Sequence, residues 1–254
     1  MVTAVIHIKQ DKLKTERVAG GGACLPIACD DCGIYSLCRE VNGPDVDLSI
    51  PETIVKSRRQ FKRGELLYRI GEPRRAVYAI RSGSAKTYVS TNDGRMQITG
   101  FRITGELLGL DSIIAGHYTS EARVLETTMV CEVPVDALQI YSQAMPSVGL
   151  QMLKIMSQEI VGYQELMLLL GTKNADERLA TFLLNFSRRF QTRNYSPTKF
   201  NLSMSRSDIG NYLGMAEETV CRVFSRFQEG GLLTATRRQV EIHDLNRLKH
   251  IARG

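Results

Sequence analysis

From Val55 to about Val135 the chain alternates short apolar runs with turns. Val77–Ile80, Ala85–Ser90 and Met96–Phe101 are rich in β-formers, and Gly64, Gly71-Glu72-Pro73, Ser82-Gly83, Asn92-Asp93-Gly94, Gly105 and Gly116 punctuate the runs. Short strands at regular spacing with glycine-bearing turns predict an antiparallel sandwich or jelly roll. After Pro146 the period changes. Leu153, Met156, Ile160, Tyr163, Met167 and Leu170 recur at alternating steps of three and four, with Lys154, Gln158, Glu159, Gln164 and Glu165 off the stripe. Leu166, Leu168 and Leu169 would suit a helix packed on its own sheet. The strict heptad spacing predicts instead a helix paired with a second copy, hence a homodimer. Gly171 is expected to end it. A second helix is expected over Lys173 to Phe190, carrying Leu179, Phe182, Leu183 and Phe186, and a loop over Gln191 to Lys199, which contains Asn194 and Pro197.

The last stretch reads as a helix-turn-helix. Ser205 with Asp208 three residues on forms a capping-box-like start. A short helix through Ile209, Tyr212 and Leu213 is interrupted by Gly214, which can take the positive φ of a tight inter-helix turn. The second helix, Ala216 to Glu229, stops at Gly230-Gly231. Val220, Val223, Phe224 and Phe227 share one face and are expected in the core; Glu218, Cys221, Arg222 and Ser225 share the other. That polar face has the chemistry of major-groove readout, since arginine bonds guanine bidentately and glutamate accepts from cytosine. Ser205 and Arg206, at the start of the first helix, join the candidate DNA contacts. Leu232–Thr236 and Val240–His243 flank Arg237-Arg238-Gln239, a hairpin with a basic tip, which completes a winged helix.

Charge supports this. The net charge of the 254 residues is +6. Residues 171–254 hold 14 basic and 8 acidic side chains, whereas residues 1–170 hold 19 of each sign. Excess positive charge confined to one module favours a polyanionic partner, double-stranded DNA above all. No apolar stretch approaches the length of a membrane span, and the first residues lack the apolar core of a secretory signal, so a cytoplasmic protein with no membrane contact is expected. Four histidines in no metalloprotease spacing, and no phosphate-binding or nucleophile-elbow motif, argue against an enzyme.

Four of six cysteines crowd together. Cys24, Cys29 and Cys32 match the C-x4-C-x2-C spacing of a plant-type 2Fe–2S centre. Cys29, Cys32 and Cys38, with a distant fourth thiolate, suit a cubane cluster; a structural zinc site suits the same C-x2-C pair. Spacing alone leaves all three open.

The run CDDCGIYSLC, the stretch from QITGFRITGELLGL to LETTMVCEVP, NADERLATFLL and SRSDIGNYLGMAEETVCRVFSRFQ together resemble the CRP/FNR family of bacterial regulators, in its fumarate-and-nitrate-reduction branch. The resemblance runs from about Cys29 to the C-terminus. It implies an α+β fold: an N-terminal β jelly-roll sensor domain of the cyclic-nucleotide-binding type, a long dimerisation helix and a C-terminal winged helix-turn-helix reading inverted-repeat DNA. It also implies an oxygen-labile 4Fe–4S cluster, with Cys29, Cys32, Cys38 and Cys131 as ligands and Cys24 to spare, and contact with RNA polymerase through the turn Asn92-Asp93-Gly94-Arg95. The organisation expected is a flexible tail over 1–23, the cysteine segment and sensor domain over 24–146, the dimer helix over 147–171 and the DNA-binding domain over 172–254. The seam residues Leu153, Met156, Ile160, Tyr163, Met167 and Leu170 form the expected dimer interface.

Three positions depart from the branch. Cys221 stands where the reading helix usually has serine, and a thiol is the weaker hydrogen-bond partner. Tyr163 stands where an acid is common on the seam. Arg95 likewise replaces a common acid in the polymerase-contacting turn. Cyclic-nucleotide members of the superfamily hold the phosphate with an Arg-Ser pair; here Gly105-Glu106-Leu107 and Tyr118-Thr119-Ser120-Glu121-Ala122 lack the arginine and place an acid nearby. A cyclic nucleotide is therefore expected to be repelled. The alternative is a CRP-like regulator whose sensor is zinc-stabilised or binds another small molecule.

Overall fold

The computed structural model describes Cys32, residues 57–91 and residues 93–254. Cys24, Cys29, Cys38, Asn92 and the expected tail lie outside the described residues. The strands β1 (Ser57–Phe61), β2 (Leu66–Tyr68), β3 (Ala76–Ser82), β4 (Ser84–Ser90), β5 (Met96–Ile103), β6 (Leu107–Leu108), β7 (Glu121–Val124) and β8 (Thr128–Pro134) form two antiparallel sheets. Their orders are β1-β8-β3-β6 and β2-β7-β4-β5. Alternating side chains of both sheets, among them Phe61, Tyr68, Ile80, Ala85, Leu108, Val124 and Val130, fill one core together with Tyr118 from the connection before β7, as the strand period requires. The β-roll expected from the glycine-punctuated runs is present. Gly83 turns β3 into β4 at φ 92°, where a Cβ would lie 2.5 Å from Thr128 Oγ1, so only glycine fits.

Helices follow. The short α1 (Ser112–Ala115) lies within the roll, and α2 (Val135–Ala144) leaves directly from β8. Helix α3 (Pro146–Thr172) starts on a proline at its first position, where a missing N–H costs nothing. It ends one residue beyond Gly171. The sequence pattern does not anticipate α2. Its Val135 and Leu138 join Val148 of α3 under β3 and β8, with Met152 and Ile155 packed alongside.

The C-terminal unit comprises α4 (Ala175–Gln191), β9 (Lys199–Asn201), α5 (Arg206–Leu213), α6 (Glu217–Glu229), β10 (Leu233–Ala235), β11 (Gln239–Ile242) and α7 (Leu245–Arg253). The wing is a three-stranded sheet of order β10-β11-β9, because Lys199, the end of the expected loop, pairs with Glu241 and Phe200 after it pairs with Val240. Its core joins that of the roll: Ile98, Phe101 and Ile103 of β5 pack into one cluster with Phe182, Phe186, Ile209 and Val220.

Candidate nucleic-acid interface and cysteine site

Ser205 caps α5: its hydroxyl accepts from Asp208 N at 3.0 Å, and its own N–H donates to Asp208 Oδ2 at 3.1 Å. Gly214 ends the helix at φ 62°, and at Gly210 a Cβ would meet Met215 O at 2.6 Å. Those two glycines let α5 and α6 cross closely. Val220, Val223, Phe224 and Phe227 of α6 are buried, and Glu218, Cys221, Arg222 and Ser225 are exposed, as the helical period requires. The four expected reading residues therefore share an open face, on which Arg222 rests against Thr219 Oγ1 at 3.2 Å. Arg206 is different. Its guanidinium lies 3.5 Å over the Phe224 ring and donates to Thr236 O at 3.2 Å, bracing the wing against α6. Burial lowers its pKa, but guanidinium stays charged. Arg237 and Arg238 stand exposed at the wing tip.

The seam is largely uncovered within one chain. Leu153, Ile160 and Met167 are 65%, 59% and 74% exposed, and Tyr163 is half-exposed. Met156 is half-buried, while Leu170 packs on the C-terminal core.

Cys131, in β8, lies opposite Ala79 of β3 and Arg58 of β1. Cys32, far away in sequence, packs with it against the patch of Val77, Leu107, Val133 and Leu138. Both thiols are half-buried and neither forms a disulfide.

Three tyrosines cluster inside the roll. Tyr68 stacks on Tyr118 at 4.0 Å between centroids and on Tyr78 at 5.9 Å. Beside them a cavity of about 30 Å³, lined by Arg102, Asp111, Ser120, Glu159 and Tyr163 among others, has room for about one water. Glu106 turns away from that cavity toward α4: it accepts from Arg189 at 2.5 and 2.8 Å and from Arg193 at 3.0 Å. Burial opposes its charge, yet the two guanidiniums hold its pKa down at about 2.

Other ties across the same junction join the roll to the helices that follow it. Lys86 Nζ reaches Asp208 Oδ1 at 2.6 Å, gripping the capping box of α5. Asn211 pairs with the edge of β5, accepting from Ile98 N at 2.6 Å and donating to Met96 O at 2.8 Å. Arg102 of β5 pairs with Glu159 of α3. These residues are absent from the expected set, because nothing local in the sequence distinguishes them from solvated charge.

Comparison with known proteins agrees with the geometry. The chain is 42% identical over 242 residues to the fumarate and nitrate reduction regulatory protein of Escherichia coli K12, covering 95% of this chain and 96% of that one. The chain belongs to the CRP/FNR family of transcription regulators. The same protein of Salmonella typhimurium LT2 matches at 42% over the same coverage. Residues 177–251 match the Crp-like helix-turn-helix domain and residues 58–143 the cyclic nucleotide-binding domain. Among solved structures, FixK2 from Bradyrhizobium japonicum superposes with a TM-score of 0.71 at 32% identity, over 77% of this chain and 96% of that one. A CRP-family transcriptional regulator from Thermus thermophilus shares the fold at a TM-score of 0.62 and 20% identity, over 77% and 97%. This CRP/FNR member is therefore a DNA-binding transcription regulator rather than an enzyme. Among its described residues, no helix is long and apolar enough to cross a membrane.

Proposed function

We propose that this protein is an oxygen-responsive regulator, acting in the cytoplasm, that binds inverted-repeat DNA as a homodimer when a 4Fe–4S cluster is assembled. The observation that carries the reading is that Cys32 and Cys131 both pack against one apolar patch, which suits the soft, water-shielded thiolates a cluster needs. Cys29 and Cys38 would complete the set. When bound, the cluster supplies oxygen-sensitive ligation. The protein's own contribution is to pin the cysteine segment to the centre of β8, beside the α3 contacts of Met152 and Ile155. The exposed seam of Leu153, Ile160 and Met167 supports pairing of α3 with a second copy. The open face of Glu218, Cys221, Arg222 and Ser225 supports base readout, with Ser205 and Arg206 near the phosphates. The exposed turn around Asp93 and Arg95, whose side chains pair at 2.7 Å, is offered to RNA polymerase.

The test is a set of single alanine variants purified without air. Cys29→Ala, Cys32→Ala, Cys38→Ala and Cys131→Ala should each lose the brown visible absorbance, and Cys24→Ala should keep it. Loss in Cys24→Ala with retention in Cys38→Ala would establish the ferredoxin-like frame instead. A colourless wild-type protein containing stoichiometric zinc would replace the redox reading with a structural metal.

A further inference from the structure

The junction between α3 and α4 is short and heavily tied. Asn174 caps α4, accepting from Asp176 N at 3.0 Å and Glu177 N at 3.1 Å, while Glu177 Oε2 accepts from Asn174 N at 3.1 Å. Arg178 follows on the first turn. Its Nε donates to Lys173 O at 2.8 Å, one terminal nitrogen to Leu170 O at 2.9 Å, and the other to Leu213 O at 2.9 Å and Gly214 O at 3.3 Å.

Those acceptors are two helix ends. Leu170 lies in the last turn of α3 and Leu213 ends α5, so their carbonyls lack partners within their own helices and carry the negative end of each helix dipole. A single planar guanidinium reaches both at once, and Lys173 O as well, through three separate nitrogens, a span that the one nitrogen of an ammonium lacks. Two further ties flank it: Lys173 donates to Ala252 O at the end of α7, and Asp176 pairs with Arg226 on α6 itself. The junction at the end of the seam helix is thus tied to α5, α6 and α7.

We propose that Arg178 is a positioning residue that fixes the angle between the seam helix and the reading helix, and thereby sets the half-site spacing the dimer accepts. The inference rests on the proposed dimeric reading of inverted repeats. In a twofold dimer, any rotation of α6 about the end of α3 is applied twice, in opposite senses, to the separation of the two reading faces. Half-sites must lie about one helical turn of DNA apart. A stiff junction therefore selects one spacer, and a loose one tolerates several.

The experiment uses full-length protein, purified and assayed without air, on inverted-repeat duplexes selected for wild-type binding, with their arms separated by the preferred spacer or by one base pair more or fewer. Wild type should bind the preferred spacer best. Arg178→Lys should lose about tenfold in affinity there, the order expected for lost charge-assisted bonds. It should lose much less on the altered spacers, so that the preference flattens. Sedimentation should show the same dimer content, and circular dichroism the same fold. Asp176→Asn, which cuts only the flanking tie, should flatten the preference in the same direction by a smaller factor, and it carries the test if the lysine variant does not fold. An equal loss on every spacer, or none, would overturn the assignment and leave Arg178 a purely stabilising residue. Failure of wild type to bind any inverted repeat would instead refute the dimeric reading itself.

Discussion

Glu106 offers the sharpest test of how the two halves are joined. Its carboxylate is 13% exposed and faces Arg189 and Arg193, themselves 18% and 15% exposed, across the sensor–reader junction. A carboxyl held at about 2, rather than its usual 4.5, stabilises the folded state at neutral pH by up to about 3 kcal/mol, at about 1.4 kcal/mol per tenfold change in proton affinity. The unfolded chain takes up its proton near 4.5 and the folded chain only near 2. The contribution is therefore complete above about pH 4.5 and is lost as the pH falls toward 2. By pH 3.5, about 1.4 kcal/mol of it should be gone. Glu106→Gln keeps the shape and removes the charge, leaving two buried guanidiniums with only an amide oxygen. It should cost about 2–3 kcal/mol at pH 7, measured by urea denaturation. The gap to wild type should narrow by about 1.4 kcal/mol at pH 3.5, where the wild-type carboxylate has lost that share of its advantage. A gap of constant size across this range would show that the carboxylate charge does not hold the junction.

Gly210→Ala should destabilise the C-terminal unit by about 1–3 kcal/mol in the same assay, because its Cβ would sit 2.6 Å from a main-chain oxygen; an unchanged midpoint would mean that α5 and α6 cross more loosely than described. Arg222→Ala should cost about 1–3 kcal/mol of operator binding and relax selectivity at one base pair, as read from single-base operator variants; a uniform loss would assign Arg222 to phosphate instead. Burial pushes the Tyr163 phenol up, so the seam is uncharged at this position at neutral pH, and air-exposed protein should remain partly dimeric in sedimentation at micromolar concentration. A clean monomer there, with dimer only in the cluster-loaded protein, would refute that expectation.

The reading helix was legible because one period decides everything about it: Val220, Val223, Phe224 and Phe227 must share a face, and burial follows. Gly214 was legible because a turn so short needs a positive φ. Helix α7 went unread although Leu245, Leu248 and Ala252 share one face and pack on the core, and although Asp244 caps it, its carboxylate accepting from Arg247 N at 2.8 Å. Strand β9 has three residues, below what alternation can reveal. The junction residues Lys86, Glu106, Arg178 and Asn211 were hidden for a different reason. Each looks locally like a solvated polar group, and only three-dimensional pairing across long sequence separations reveals its partner. Of the cysteine set, the spacing of Cys29, Cys32 and Cys38 is local and readable, whereas Cys131 in a β run looks like a small core residue.

The rings of Phe101 on the roll and Phe182 and Tyr212 on the reader meet at 6.1 and 5.2 Å within a continuous apolar cluster. Cutting the chain after the seam helix would therefore not release a self-sufficient reading module. The severed fragment would present Phe182, Phe186 and Tyr212 to water, together with an α5 cap deprived of Lys86, and such a face invites self-association. Minimal DNA-binding fragments of this protein would need the β5 edge, or polar replacements for those three rings, to stay monodisperse.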